Sequence, residues 1–92
     1  MNEEIIKKLF LVLQDRKKIS EKKSYTSSLF KNPDLLAKKI GEESSELIID
    51  FLKGSKKRTT EEAVDVIYHL LVLLKSKKIT MNDIYKEMDK RK

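Results

Sequence analysis

Acidic residues occur in pairs, three positions apart, in two stretches of the sequence. The first pair is Glu43 and Glu46, and the second is Glu62 and Asp65. Residues three positions apart lie on one side of an α-helix, so each pair presents two carboxylates in the same direction. If the two stretches form neighbouring antiparallel helices, the four carboxylates converge and repel one another unless a cation lies between them. Magnesium, which prefers oxygen ligands and keeps waters, fits this pattern.

A single pair of this kind predicts little, because acidic residues at this spacing commonly pair with lysines on a solvated face. Here both pairs border apolar residues of their own helices, where a solubilising carboxylate is not expected. Glu43 lies at the edge of a stripe that is predicted to face the core. That stripe consists of Leu36, Ile40, Leu47 and Phe51. Two pairs placed in this way favour a metal site over a solvated face.

His69, the one histidine of the chain, lies one helical turn beyond Asp65. A histidine there can bind a metal or transfer a proton, but within the apolar run 67–74 a hydrogen-bonded packing role is more typical. We therefore leave His69 outside the predicted catalytic set. The chain has no cysteine, which excludes disulfides, thiolate metal sites and cysteine nucleophiles.

Helices are predicted to position these residues. Asn2 is placed to cap a first helix that we expect to run to about Lys18. Asn32 followed by Pro33 predicts the start of a second helix, and Gly54 predicts its end.

A loop is predicted between these two helices, because residues 19–31 are rich in serine and lysine. Its expected anchors to the core are Tyr25, Leu29 and Phe30. The third helix is predicted to begin at Thr59 or Thr60, with Glu62 completing a capping box.

Thr80 is placed to cap a fourth helix over about 81–90. Short connections between such helices predict an all-α antiparallel bundle of about four helices, in which residues 1–92 form a single domain. The run 67–74 is apolar almost all the way round, and such a helix must be covered on more than one side. We expect a second copy of the chain to supply this cover, in a homodimer.

The chain carries 21 lysine and arginine residues against 15 aspartate and glutamate residues, a formal net charge of +6. This excess attracts polyanions such as nucleotides. The aromatic residues mostly occupy core-like positions, so we expect no nucleic-acid binding. The N-terminal residues show no signal-peptide pattern and no stretch is long enough to cross a bilayer, so we expect a cytoplasmic protein that does not bind membranes.

Two segments, KKIGEESSE at 38–46 and EEAVD at 61–65, resemble the ExxE…ExxD metal motif of the all-α nucleoside triphosphate pyrophosphohydrolases. Further segments narrow the resemblance to the phosphoribosyl-ATP pyrophosphohydrolase family. They are LF at 9–10, DRK at 15–17, SYT at 24–26, LF at 29–30 and YHLLVLL at 68–74. The resemblance covers nearly the whole chain. Ser44 and Ser45 stand where the family often has two alanines, a change between small residues that preserves close helix packing.

This resemblance implies magnesium-dependent hydrolysis of phosphoribosyl-ATP between its α and β phosphates. The products are phosphoribosyl-AMP and pyrophosphate, in the second step of histidine biosynthesis. The resemblance also implies a homodimer, and it assigns Glu43, Glu46, Glu62 and Asp65 as magnesium ligands and catalytic residues. Glu42 is then an outer acid or the base for the attacking water.

Lys39 is the first candidate for binding the substrate phosphates, because it lies one turn from Glu43 on the same side of the helix. Weaker candidates are Lys38, Arg16 and Lys17. Residues interpreted as contacts of the ribose or a phosphate through their hydroxyls are Ser24, Tyr25 and Thr26. A tyrosine that only packs its segment onto the core explains Tyr25 equally well.

Two other functions stay open from the sequence. A sister enzyme of the same superfamily that hydrolyses other nucleoside triphosphates would share the whole metal site. A non-catalytic helical adaptor that binds an acidic partner through its lysines would leave the acidic pairs as surface salt bridges. The adaptor predicts that magnesium has no effect on stability.

Overall fold

A computed structural model of the chain describes residues 4–16 and 25–92. The regular structure within these ranges is entirely helical, which confirms the predicted all-α class for this part of the chain. The helices are α1 (Ile5–Arg16), α2 (Tyr25–Lys31), α3 (Pro33–Lys53), α4 (Lys56–Ser76) and α5 (Met81–Lys90). No helix in the described ranges is both long enough and apolar enough to cross a membrane.

Helices α3 and α4, each 21 residues long, share the most extensive interface among the described residues. Each is about 30 Å long at 1.5 Å per residue, and a connection of only two residues forces them to pack antiparallel. Contacts across the interface agree with this direction, since Asp50 lies near Arg58 and Glu43 contacts His69. The hairpin therefore brings the middle of α3 against the middle of α4.

The signals predicted for the ends of α3 are confirmed. Asn32 is the cap, with its Oδ1 accepting a hydrogen bond from the Leu35 N–H at 3.2 Å. Pro33 occupies the first helical position, where no backbone donor is needed. Gly54 follows the last residue, and its N–H donates to the Asp50 carbonyl at 2.8 Å.

The predicted start of α4 at Thr59 or Thr60 is wrong. The cap is Ser55, whose hydroxyl accepts a hydrogen bond from the Arg58 N–H at 3.1 Å. The two threonine hydroxyls instead donate to the carbonyls of Ser55 and Lys56 from within the helix. Hydroxyls that bond the carbonyl four residues back are compatible with a helix interior, so a threonine alone does not mark a helix start.

The predicted loop at 19–31 is wrong for its second part, which forms α2. Residues 19–24 lie outside the described ranges. Leu29 is fully buried in α2, and Phe30 packs against the core. So short a helix is unstable alone, and tertiary packing stabilises it despite its serine-rich sequence. The described residues therefore contain five helices where four were predicted.

The first and last helices agree with the prediction where the structure describes them. Helix α1 lies within its predicted range, and its predicted limits, Asn2 and Lys18, lie outside the described residues. Thr80 caps α5 in a capping box: the Asp83 N–H donates to Thr80 Oγ1 at 3.1 Å, and the Thr80 N–H donates to Asp83 Oδ2 at 2.9 Å. These bonds from Thr80 hold the pKa of the Asp83 carboxyl below its usual value.

A small apolar core joins the first four helices. Its members are Phe10, Leu29, Leu36, Leu71, Val72 and Leu74. The predicted stripe of α3 is confirmed at Leu36 and in part at Ile40 and Leu47, which are half-buried. It is wrong at Phe51, whose side chain is 74% exposed. Phe51 lies in the last turn of α3 beside an open cavity of about 440 Å³. The residues of α4 that line this cavity are polar or small, namely Lys56, Thr59, Thr60 and Ala63, and none of them is a large apolar side chain that could cover Phe51.

The approach of Gly54 to Asp50 leaves no room for a β-carbon. A Cβ at residue 54 would lie 2.9 Å from the Asp50 Cα and 2.7 Å from its Oδ1. Because backbone atoms cannot move aside as a flexible side chain can, we expect Gly54→Ala to lower the free energy of unfolding by about 1–3 kcal/mol.

Gly41→Ala is the matched control, because a Cβ there would have no atom within 4 Å. It removes a glycine from an exposed helix interior and should raise the free energy of unfolding by about 0.5–1 kcal/mol. Urea unfolding of both variants measures the difference. If both substitutions changed the free energy of unfolding in the same direction, the result would contradict the close approach at Gly54.

Candidate metal and catalytic site

Three carboxylates meet at the interface of α3 and α4. Oxygens of Glu43 on α3 and of Glu62 and Asp65 on α4 all lie within 4.8 Å of one another. Glu62 and Asp65 project from one side of α4 because they are three positions apart, and the antiparallel hairpin places Glu43 opposite them. We call these three residues the acidic cluster. A set of carboxylate oxygens at this spacing can hold a hard divalent cation.

Glu62 is the most enclosed member of the acidic cluster, at 5% exposure. Arg58 donates to its Oε1 at 3.2 Å. Its Oε2 is buried, and no residue in the described ranges gives it a hydrogen bond from a donor group. A buried carboxylate oxygen without a donor is costly, so this atom fits the position of a metal ligand.

The electrostatic environment of Glu62 supports the same interpretation. Burial is the largest cause that raises the pKa of its carboxyl group, followed by the charge of Glu46 and a hydrogen bond with it, and then by Asp65; Arg58 opposes them. Two ionised carboxylates in contact repel one another unless a proton or a cation lies between them. The pair therefore needs either a proton or a cation.

Glu46 and Lys39 flank the acidic cluster. Burial is the largest cause that raises the pKa of Glu43, and the charges of Asp65 and Glu46 add to it. His69 and Lys39 lower that pKa without reversing the shift. All four carboxylates singled out in the sequence therefore interact with one another, and the half-buried Lys39 brings a positive charge to their edge.

His69 contacts the acidic cluster on the side of Glu43. Its ring is buried, and its Nδ1 lies 2.6 Å from Glu43 Oε1 and 3.0 Å from the backbone carbonyl oxygen of Asp65. Its Nε2 lies 3.0 Å from the hydroxyl oxygen of Tyr25. The histidine is hydrogen-bonded, as the sequence suggested, but its partner is a residue of the site.

Two residues outside the predicted site contact the acidic cluster, His69 and Arg58. Both lie one helical turn from an acid on the same helix, Arg58 before Glu62 and His69 after Asp65. Residues four positions apart are neighbours on a helix surface. That spacing is the signal from which the contact of Arg58 with Glu62 could have been predicted, and it also places His69 on the side of α4 that carries Asp65.

The other residues predicted for the site are placed differently. Glu42 and Lys38 are exposed on α3. Tyr25 is half exposed, and the buried Thr26 bonds its hydroxyl to that of Tyr68. The structure describes no side chain for Arg16, Lys17 and Ser24.

Comparison with known proteins gives matches over nearly the whole chain. A family profile described as phosphoribosyl-ATP pyrophosphohydrolase matches residues 6–92. A phosphoribosyl-ATP pyrophosphatase of Sulfolobus acidocaldarius is 44% identical over 92 residues, which cover 99% of this chain and 97% of the relative. One of Clostridium acetobutylicum is 47% identical over 89 residues, which cover 96% and 81%. The histidine biosynthesis bifunctional protein HisIE of Caldanaerobacter subterraneus subsp. tengcongensis is 45% identical over 89 residues, which cover 96% of this chain and 43% of that protein.

Proposed function

Because the chain belongs to the phosphoribosyl-ATP pyrophosphohydrolase family, we propose that it uses the acidic cluster to hydrolyse phosphoribosyl-ATP between its α and β phosphates. It is an enzyme of histidine biosynthesis that converts phosphoribosyl-ATP to phosphoribosyl-AMP and pyrophosphate. The observation that carries the assignment of the site is the convergence of carboxylates from two helices around a buried oxygen that receives no hydrogen bond from the described residues. A surface adaptor would not bury Glu62.

Magnesium is the cation that these residues fit best. The donors are carboxylate oxygens, which are hard ligands of the kind that magnesium prefers. Glu43, Glu62 and Asp65 would hold the ion, and Glu46 would complete the set from beside Glu62. When bound, magnesium neutralises phosphate oxygens and lowers the pKa of a coordinated water.

We assign residues at the edge of the acidic cluster to binding the substrate phosphates and to orienting the attacking water. Lys39 places a fixed positive charge where the phosphates would approach, and preorganised charge stabilises the negative charge that develops during the reaction. Lys38 lies beside it in sequence and is exposed. Glu42 is the proposed outer acid. The pKa of Tyr25 is raised chiefly by burial, and the negative charges of Glu43 and Glu42 add to this shift.

Pyrophosphate release tests this proposal directly. Phosphoribosyl-ATP and a panel of other nucleoside triphosphates are compared with magnesium and with a chelator. We expect turnover that needs magnesium and that is fastest with phosphoribosyl-ATP. Preference for another triphosphate would keep the site but change the substrate, and absence of any turnover would contradict the proposal. We place the enzyme in the cytoplasm, because its highly charged substrate does not cross membranes unaided.

We also propose that two copies of the chain associate through apolar residues that the single copy leaves exposed. Four of these lie near the end of α3 and are more than half exposed: Ile48, Ile49, Phe51 and Leu52. Val64 and Ile67 on α4 are exposed as well. A large exposed apolar surface marks a contact with another molecule. An isologous dimer would cover this surface on both copies.

Light scattering on the double variant Ile48→Glu with Leu52→Glu tests the dimer. These side chains lie one turn apart on one face of α3, and two charges there should shift the mass from two chains to one. Met88→Glu is the matched control, since Met88 is 63% exposed but lies on α5; its mass should stay at two chains. A monomeric wild type, or a double variant that still dimerises, would contradict the proposal.

A further inference from the structure

His69 joins three helices at the acidic cluster. The ring lies on α4, its Nδ1 contacts Glu43 of α3, and its Nε2 contacts Tyr25 of α2, which is 44 residues away in sequence. The ring is only 6% exposed, so water cannot readily replace either partner. One side chain thus connects the segment before α3 with a proposed metal ligand.

The partners of the ring determine where its hydrogens lie. The carbonyl oxygen of Asp65, 3.0 Å from Nδ1, can only accept a hydrogen bond. Nδ1 must therefore carry a hydrogen, which it shares between this carbonyl and Glu43 Oε1. In the neutral ring Nε2 is then an acceptor, and the Tyr25 hydroxyl donates to it.

Helix α2 holds Tyr25 in position for this contact. Leu29 of α2 is fully buried in the core, and the Thr26 hydroxyl is hydrogen-bonded to that of Tyr68 on α4. Tyr25 itself is half exposed, so its hydroxyl is fixed by the helix that carries it rather than by burial of its own ring.

We propose that Tyr25 and His69 are positioning residues, which hold the Glu43 carboxylate toward Glu62 and Asp65 through a continuous chain of hydrogen bonds. Glu43 needs such support because Asp65 and Glu46 repel it, and a carboxylate free to rotate would turn away from them. Residues that orient a metal ligand in this way commonly contribute 10–100-fold to metal affinity or activity. The proposal rests on the proposed function for what the site binds, whereas the hydrogen bonds themselves belong to the metal-free protein.

Asparagine and glutamine at position 69 separate the roles of the two ring nitrogens. The amide nitrogen of asparagine reaches the place of Nδ1, while that of glutamine reaches the place of Nε2. His69→Gln removes the donor to Glu43 and should lower magnesium affinity and kcat by about 10–100-fold. His69→Asn keeps that donor and should recover most of the loss. Tyr25→Phe, at a half-exposed position where folding is not at risk, should cause a smaller loss than His69→Gln.

Nuclear magnetic resonance provides a readout that needs neither substrate nor metal. Because the chain contains one histidine, long-range proton–nitrogen correlations of the nitrogen-15-labelled protein report on His69 without ambiguity. We expect a hydrogen on Nδ1, and Nε2 as the acceptor of the hydrogen bond from Tyr25. Tyr25→Phe should shift the Nε2 resonance and leave the hydrogen on Nδ1.

Calorimetric titration with magnesium alone then separates positioning from packing. Variants that lose thermal stability but bind magnesium and turn over like the wild type would overturn the proposal, and so would a neutral ring with its hydrogen on Nε2. Weaker magnesium binding by His69→Gln, restored by His69→Asn, would support it. A wild type that binds magnesium without hydrolysing phosphoribosyl-ATP would contradict the proposed function and not this inference.

Discussion

Glu62→Gln is expected to lower the hydrolysis of phosphoribosyl-ATP at least about 1000-fold and, at the same time, to make the metal-free protein more stable. The same enclosure causes both effects. A neutral amide is a poor ligand for magnesium, so the metal and the water it activates are lost. In the metal-free protein, however, the amide removes the repulsion between Glu62 and its acidic neighbours, and it can donate a hydrogen bond to Glu46.

Turnover and urea unfolding of the metal-free protein measure the two effects separately. Glu87→Gln is the matched control, because Glu87 is an exposed acid on α5 that pairs with Arg91 of its own helix. It should leave both measurements close to those of the wild type. A Glu62→Gln protein that is less stable than the metal-free wild type would show that the buried carboxylate is satisfied without a cation, and would count against the metal site.

Magnesium is expected to reverse the way in which stability depends on pH. In the metal-free protein the pKa values of Glu43 and Glu62 are raised above the ordinary value of 4.5, chiefly by burial. A carboxyl group with a raised pKa stabilises the fold in its protonated form, so its contribution is complete below 4.5 and is lost as the pH rises through the folded-state pKa. As far as these two groups determine it, the stability of the metal-free protein should therefore fall as the pH rises from 4.5 through their folded-state pKa values.

Magnesium binds the ionised carboxylates, so in its presence the ionisation of these groups should stabilise the fold. Thermal unfolding midpoints between pH 4 and pH 8, with and without the metal, give the comparison. We expect the two curves to separate as the pH rises and the effect of magnesium to be much smaller in Glu62→Gln. A midpoint at neutral pH that does not respond to magnesium is the result that the adaptor hypothesis predicts, and it would contradict this one.

Local signals made much of the fold and of the acidic cluster predictable. Asn32, Gly54 and Thr80 act through their own backbone neighbours, so their residue types alone identified helix ends. The two acidic pairs were readable because helical spacing places each pair on one side, and the short connection between the helices that carry them predicted that they would face each other.

Features that depend on tertiary packing could not be predicted in this way. Leu29 was expected to reach the core, but the serine-rich composition of residues 25–31 conceals that they do so as a helix. Phe51 has the correct helical phase for the stripe, but the residues of α4 that line the cavity beside it are polar or small. His69 was assigned to packing because it lies within the apolar run 67–74. Its side-chain partners, Glu43 and Tyr25, lie on other helices, where spacing along α4 does not reveal them.

The short connection between α3 and α4 also restricts how the gene can change during evolution. One residue inserted into α3 after Glu43 would turn the preceding part of that helix by about 100° and move it by about 1.5 Å relative to α4. Glu43 would then no longer face Glu62, although every side chain of the site would still be encoded. Substitutions at exposed positions of this segment other than Glu46 and Gly54 leave that alignment unchanged. Selection should therefore tolerate changes of composition between Glu43 and Glu62 far more readily than insertions or deletions.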